Sequence, residues 1–302
     1  MIDYNKKKIL EEKGFKFKYP PKEGYVVPLT DDRIFRIFCR DRKNRKFVAK
    51  LISLVTDIDY DLLVERMIVV DSTVPDNSVC NHLNEQDVIV TINNTTLNLE
   101  MSSNVYYNKR KNERTAFKYA GNQYKVGSSI EDETYIFYQI CIENYDLFKN
   151  DYLINEVNMI NVTSGNYEVE TNEFKKFHVN LKKLKKVCYN SYEEVNKFFK
   201  FFTLEKEKDL EEISKGDEIL MEAYKHLKDL SHDSVPMSKL EEQELNEYCQ
   251  RLAIMDAKNE GEKSKQVEIA KKMLEDNVDI SSISKYSGLS IDDIDKIKEP
   301  EK

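Results

Sequence analysis

The sequence predicts an α/β protein, a mixed β-sheet flanked by helices and followed by an α-helical C-terminal region. Three observations carry this. Runs that alternate in polarity or are dense in β-branched and aromatic residues, such as "DVIVTINNTTLNLEMSS" and "TYIFYQICIENY", are interleaved up to about residue 190 with segments of helical periodicity. From about Ser191 the texture changes to long Glu/Lys-rich segments with very little Gly or Pro. With 302 residues and 40% hydrophobic content, the chain can also bury a sizeable core.

Taken in order, residues 1–29 form a basic N-terminal arm, and residues 1–50 hold 15 Lys and Arg against 7 Asp and Glu. "PLTDDRIFRIF" has Pro28 before it, Thr30 or Asp31 as N-cap, and Ile34, Phe35 and Phe38 spaced for one face of a short amphipathic helix. A second helix is expected from about Asn44 to Val55, where Phe47, Val48, Leu51, Ile52 and Val55 recur at steps of three and four. "MIVVDS" reads as a strand. After the hairpin of residues 87–103, "VYYNKRKNERTAFKYAGNQYK" reads as a helix with Arg110, Arg114 and Lys118 on one stripe. "TYIFYQICIENY" is the clearest strand, and "EVNMINVT", "NYEVET" and "FHVNLKKL" are weaker ones. The α/β domain therefore spans 30–190, a helical region 191–260, and a C-terminal helix with a helix-turn-helix-like tail 261–302. In that tail Ile280, Ile283, Leu289, Ile294 and Ile297 form a small apolar set broken at Gly288, and Ser290 with Asp293 resembles a capping box. Asp292, Asp293 and Asp295 on its second helix would repel phosphates, so partner binding or homodimerisation through the C-terminal helices fits it better than reading DNA.

Bulk composition excludes several classes. No segment approaches the roughly 20 apolar residues of a membrane span and the first residues hold no apolar signal core, which predicts a soluble, cytoplasmic protein without a membrane partner. Cys39, Cys80, Cys141, Cys188 and Cys249 are scattered and odd in number, which supports neither a disulfide framework nor a CxxC zinc site. The histidines His82, His178, His226 and His232 show no HExxH or HxxxH grouping and read as surface or satisfied structural residues. No phosphate-cradling glycine loop is present, and Ser102 beside Ser103 has no nucleophile elbow. The net charge of −8 is unevenly distributed: residues 101–130 carry 6 Lys and Arg against 1 acidic residue, so two basic segments flank the hairpin and could supply phosphate contacts.

If Asn93 and Asn94 form a two-residue turn, a role Asn fills through its tolerance of positive φ, Ile92 pairs with Thr95 and Asp87 lies opposite Glu100. Like charges there destabilise the pair unless a divalent cation offsets them. On the second strand Thr96, Asn98, Glu100 and Ser102 share the more polar face. Oxygen ligands without a His or Cys cluster favour a hard ion, Mg²⁺ or Mn²⁺. The other reading is an ordinary edge hairpin with both carboxylates facing solvent, and a three-residue loop would instead place Val88 opposite Glu100.

Several of these stretches, in this order, resemble the recombination-promoting nucleases, also called PD-(D/E)XK nuclease family transposases. "TDDRIFRIF" is similar to the family's opening helix, with Asp32, Phe35, Arg36 and Phe38 in its places and Arg for the usual Lys. "QDVIVTINNTTLNLEM" resembles its strand-turn-strand signature, "NERTAFKYAGNQYKVG" the following helix with Arg114 and Tyr119, and "TYIFYQICIENYDLF" the strand after it. "IAKKMLEDNVDISSISKYSGLSIDDIDKI" is similar to the family's tail. The resemblance implies a restriction-endonuclease-like PD-(D/E)XK core and a Mg²⁺-dependent DNA endonuclease working in recombination, mobile elements or phage defence. Asp87 and Glu100, with Asp32 from the first helix, would be metal ligands. Asp87, Glu100 and Ser102 would be the catalytic positions, and Arg110, Arg114, Lys118, Lys109 and Lys111 would contact DNA. One departure stands out: Ser102 occupies the place of the family's Gln or Lys and brings no positive charge. Either a lysine from the next helix (Lys109, Lys111 or Lys118) reaches back, or the metal carries the chemistry alone, or the chain is a catalytically degenerate nuclease fold acting as a DNA-binding or oligomerising regulator.

Overall fold

The computed structural model describes residues 4–12 (side chains from 7), 14–70, 88–103, 136–158, 163, 174–184 and 193–298. The chain divides into two compact units, residues 18–238 and residues 1–17 with 239–302.

The larger unit is built on one mixed sheet of six strands in the order β1-β2-β3-β4-β6-β5, where β1 is Ile68–Val70, β2 Val88–Ile92, β3 Thr95–Ser102, β4 Ile136–Glu143, β5 Ile154–Val157 and β6 Phe174–Asn180. The first three strands form an antiparallel meander. β3, β4 and β6 then run parallel, and β5 closes the edge antiparallel to β6. Parallel neighbours need a long connection, and the chain between β3 and β4 supplies it. The helix expected on residues 105–125 and the strand "NYEVET" lie outside the described residues. β6 begins three residues before "FHVNLKKL", whose last residues turn into the short 3₁₀ segment Leu181–Lys183. The reason is local: the Asn180 side chain accepts the Lys182 amide at 3.0 Å and ends the strand.

The hairpin has the register the two-residue turn demands. Ile92 pairs with Thr95 and Val88 with Leu99, and Asn93 takes the left-handed conformation at φ 50°. One face of the sheet is apolar, with Val88, Val90, Leu97, Leu99, Met101, Ile140, Ile142, Phe177 and Val179 all buried. Burial of this apolar face anchors the sheet and so positions the polar face described below.

α1, Tyr4–Glu12, belongs to the smaller unit, and the helices α2 Asp32–Arg40, α3 Arg45–Val55, α4 Tyr60–Arg66, α5 Glu193–Phe201, α6 Glu207–Ser214 and α7 Glu218–His232 complete the larger one. Of the two N-cap candidates for α2, Asp31 is the one used, accepting from the amides of Arg33 and Ile34 at 3.1 and 3.3 Å. α2 and α3 bury the apolar positions their periodicity marked, and α2 packs against β2 and β3. The aromatic run of α5 meets them: Phe47 lies with ring centroids 4.7 to 5.7 Å from Phe38, Phe198, Phe201 and Phe202. Asn44 ties this layer together, donating to the Phe38 carbonyl at 2.8 Å and meeting His226 Nδ1 at 2.8 Å.

In the smaller unit the long helix α8, Ser234–Glu275, whose first residues belong to the larger unit, leads to α9, Ile280–Ser287, and α10, Ile291–Lys298. Ala270, Ile283, Leu289 and Ile294 form its core with Val267, Met273 and Leu274 against them. Gly288 ends α9 at φ 76°, where a side chain would be strained, and Ser290 accepts the Asp293 amide at 3.2 Å in the capping box. Among the described residues no helix is long and apolar enough to cross a membrane.

Two outcomes follow from this packing. Phe47→Ala is expected to cost about 3–5 kcal/mol in urea unfolding, since four rings lose their common neighbour. Tyr19 is fully buried, and burial, followed by the nearby Asp31 charge and its hydrogen bond, pushes the phenol pKa up. The folded phenol therefore keeps its proton where an unfolded tyrosine, at about 10, loses it. The stability it contributes is whole below that pH and drains away above it, so urea unfolding across pH of about 9 to 11 should fall less steeply for Tyr19→Phe than for the wild type.

Candidate metal centre

The opposite face of the parallel strands is polar and buried. Register fixes its composition: Asn98, Glu100 and Ser102 of β3 pair with Gln139, Cys141 and Glu143 of β4, which pair with Lys176, His178 and Asn180 of β6. Paired residues share a face, so nine side chains form a three-by-three grid. All except the half-buried Lys176 are buried. Its densest end, Glu100 and Ser102, Cys141 and Glu143, His178 and Asn180, lies at the carboxyl ends of all three strands, where open α/β sheets bind their ligands.

Two carboxylates in this grid are almost completely removed from water, Glu100 at 1% exposure and Glu143 at 2%. Such burial is costly unless each oxygen is bonded. Glu100 Oε1 accepts from Asn98 Nδ2 at 3.2 Å. Glu143 Oε1 accepts from the Tyr145 hydroxyl at 3.2 Å and meets His178 Nδ1 at 3.0 Å, while Glu143 Oε2 has no hydrogen-bond partner among the described residues. Burial, and next the Glu143 charge and hydrogen bond, hold the Tyr145 phenol pKa well above its usual value, so it stays a donor. A hydrogen bond with Ser102 acts on the same phenol. The Phe148 ring meets the His178 imidazole edge-on at 5.1 Å. Beside the grid, buried Lys183 donates to Asp146 Oδ2 at 2.8 Å, and Asn180 donates to Asp146 Oδ1 at 2.8 Å.

Cys141, Glu143 and His178 each present one ligand atom, and the three atoms lie within 4.8 Å of one another. Beside the oxygen donors expected on the hairpin, β4 and β6 therefore add sulfur and imidazole, and His178 is buried, meets Glu143 at 3.0 Å and belongs to a possible metal-binding cluster.

Of the residues singled out in the sequence, Glu100 and Ser102 lie on this buried face, so the solvent-facing reading of the hairpin fails for Glu100. Asp87 is outside the described residues; it directly precedes Val88, whose partner is Leu99. Asp32 is exposed in the first turn of α2, and the preceding turn touches the end of β3, with Ser103 Oγ donating to the Thr30 carbonyl at 2.7 Å. Lys109, Arg110, Lys111, Arg114 and Lys118 are outside the described residues. Cys141, Glu143, Tyr145, His178, Asn180 and Lys183 were not singled out. A signal existed: within "TYIFYQICIENY" the residues Gln139, Cys141 and Glu143 make a polar stripe of period two, and Lys176, His178 and Asn180 repeat it in "FKKFHVN".

Asn180→Ala should cost about 2 kcal/mol in urea unfolding, because it removes both the cap of the 3₁₀ turn and a hydrogen bond to a carboxylate. Compared with protein-family models, with curated proteins and with solved structures, the chain matches none.

Proposed function

We propose that this chain is a metal-dependent nuclease that hydrolyses DNA phosphodiester bonds, with a PD-(D/E)XK-type core, acting in recombination, mobile elements or phage defence. The observation that carries the reading is the burial of Glu100, with Glu143 one strand away, at the carboxyl ends of parallel strands. Two acids placed out of water on one face are an arrangement in which carboxylates can hold a cation. An antiparallel meander followed by a parallel strand, with the acid on the second arm of the hairpin, supports the same reading, as does the resemblance in the sequence.

The reading places a hard divalent cation on the β3 side. Glu100, with Asp87 from the start of the hairpin and Asp32 from α2, would hold Mg²⁺ or Mn²⁺ through oxygen. When bound, such an ion polarises a scissile phosphate and lowers the pKa of a bound water. The rest falls to the chain. Asn98 orients the Glu100 carboxylate through its 3.2 Å hydrogen bond. Ser102, on the same face as Glu100, can position a water or a phosphate oxygen by hydrogen bonding but supplies no charge. Arg110, Arg114 and Lys118 would neutralise the DNA backbone, and Lys109 or Lys111 could provide the cation that Ser102 lacks.

Supercoiled plasmid incubated with Mg²⁺ or Mn²⁺ tests this. The wild type should nick or linearise it, and Glu100→Gln and Asp87→Asn should each lower the rate by about 10²-fold or more. Unchanged cleavage in both variants would refute the site. A wild type that binds DNA with a steep salt dependence yet never cuts would favour the regulator reading that Ser102 suggests.

A further inference from the structure

We propose that Cys141, Glu143 and His178 form a binding site for one transition-metal ion of the zinc class, chemically distinct from the oxygen-donor position at Glu100. The inference does not rest on the nuclease reading, because every residue in it is described and its test reads metal binding rather than cleavage.

Geometry comes first. Three donor atoms no more than 4.8 Å apart lie on a triangle whose centre is at most 4.8/√3, about 2.8 Å, from each of them. Zinc sits about 2.0–2.2 Å from nitrogen or oxygen and about 2.3 Å from sulfur. Closure therefore needs side-chain shifts well under about 1 Å, within the reach of small χ adjustments. The backbone register brings the three residues together on one face. Cys141 and His178 are Cα partners on β4 and β6, and Glu143 is two residues beyond Cys141 on the same face.

The second observation is independent of that geometry. Glu143 is 2% exposed and its Oε2 has no hydrogen-bond partner among the described residues, although Oε1 is engaged by both Tyr145 and His178. A buried carboxylate oxygen left without a donor is expensive, and a cation at this point removes the cost. Tyr145 and Phe148 act as supports, one fixing the carboxylate by its hydroxyl and the other bracing the imidazole edge-on.

Donor chemistry selects the ion. Cys141 forms no disulfide, and a thiolate with an imidazole and a carboxylate is a set that suits zinc and neighbouring transition metals; Mg²⁺ prefers oxygen alone and keeps its waters. Binding would release the Cys141 thiol proton to solvent. Three protein donors leave a fourth tetrahedral position, the arrangement of zinc sites that hold water or a substrate oxygen. That position would open on the face shared with Glu100 and Ser102, the Cα partners of Cys141 and Glu143.

Cobalt(II) is the probe, since a thiolate ligand gives it a near-ultraviolet charge-transfer band and tetrahedral coordination gives intense visible bands. The metal-free full chain should bind one equivalent of Co²⁺ with both signatures, lose them on addition of one equivalent of Zn²⁺, and keep them in a large excess of Mg²⁺. Cys141→Ala should abolish the charge-transfer band, and His178→Gln should weaken binding of Co²⁺ by at least about 10-fold. A chain retaining Cys141 as its sole cysteine should keep the band, which decides the matter even if Cys141→Ala does not fold by circular dichroism. No band in the wild type, a band that persists in folded Cys141→Ala, or its loss from the sole-cysteine chain would overturn the proposal. Plasmid cleavage is read separately, so a failed nuclease assay leaves this result standing.

Discussion

The parallel register of β3, β4 and β6 is the constraint on which the rest depends. Parallel central strands are ordinarily covered on both faces and apolar on both. Here one face is apolar and the other carries eight buried polar or ionisable side chains brought side by side by pairing alone. Strand pairing sets Glu100 beside Cys141 and Cys141 beside His178. Slipping any of these strands by one residue would exchange the two faces, placing Leu99 or Ile140 on the polar side and charges in the apolar core. The helices around Phe47 and the capped start of α2 serve that same sheet by closing the larger unit.

The polar face costs stability. Glu100 and Glu143 are removed from water, and one oxygen of Glu143 has no donor among the described residues. Hydrogen bonds from Asn98 to Glu100 and from Tyr145 to Glu143 offset part of this cost. A structural network tends toward full satisfaction, whereas a site awaiting a ligand keeps an open valence. Two donor types meet on the face: carboxylate oxygen around Glu100, and sulfur, imidazole and carboxylate one strand further. Ser102, on β3 beside Glu143, has no charge of its own, so positive charge against a bound phosphate must come from a cation or from a basic side chain.

Much of the first half of the fold was legible in the sequence because its signals are local. The Asn93-Asn94 turn set the hairpin register, Asp31 announced the start of α2, and the β-branched run marked β4. The capping box at Ser290 and the break at Gly288 located the tail helices equally well. What escaped was non-local. His178 and Glu143 are 35 residues apart and meet only because β4 and β6 are parallel neighbours, with a strand pairing the far edge formed in between. A search for ligand spacings along one helix or loop cannot detect donors delivered by two strands. The period-two polar stripes in β4 and β6 were visible, but their meaning depended on knowing that the strands are adjacent.

Anomalous diffraction from crystals of the full chain grown with Mn²⁺ tests the central claim, that this buried face exists to hold cations, most directly. The account requires a manganese peak within coordination distance of Glu100 on the polar face. A structure in which that face carries no anomalous peak, with Glu100 and Glu143 satisfied entirely by protein or water hydrogen bonds, would contradict it.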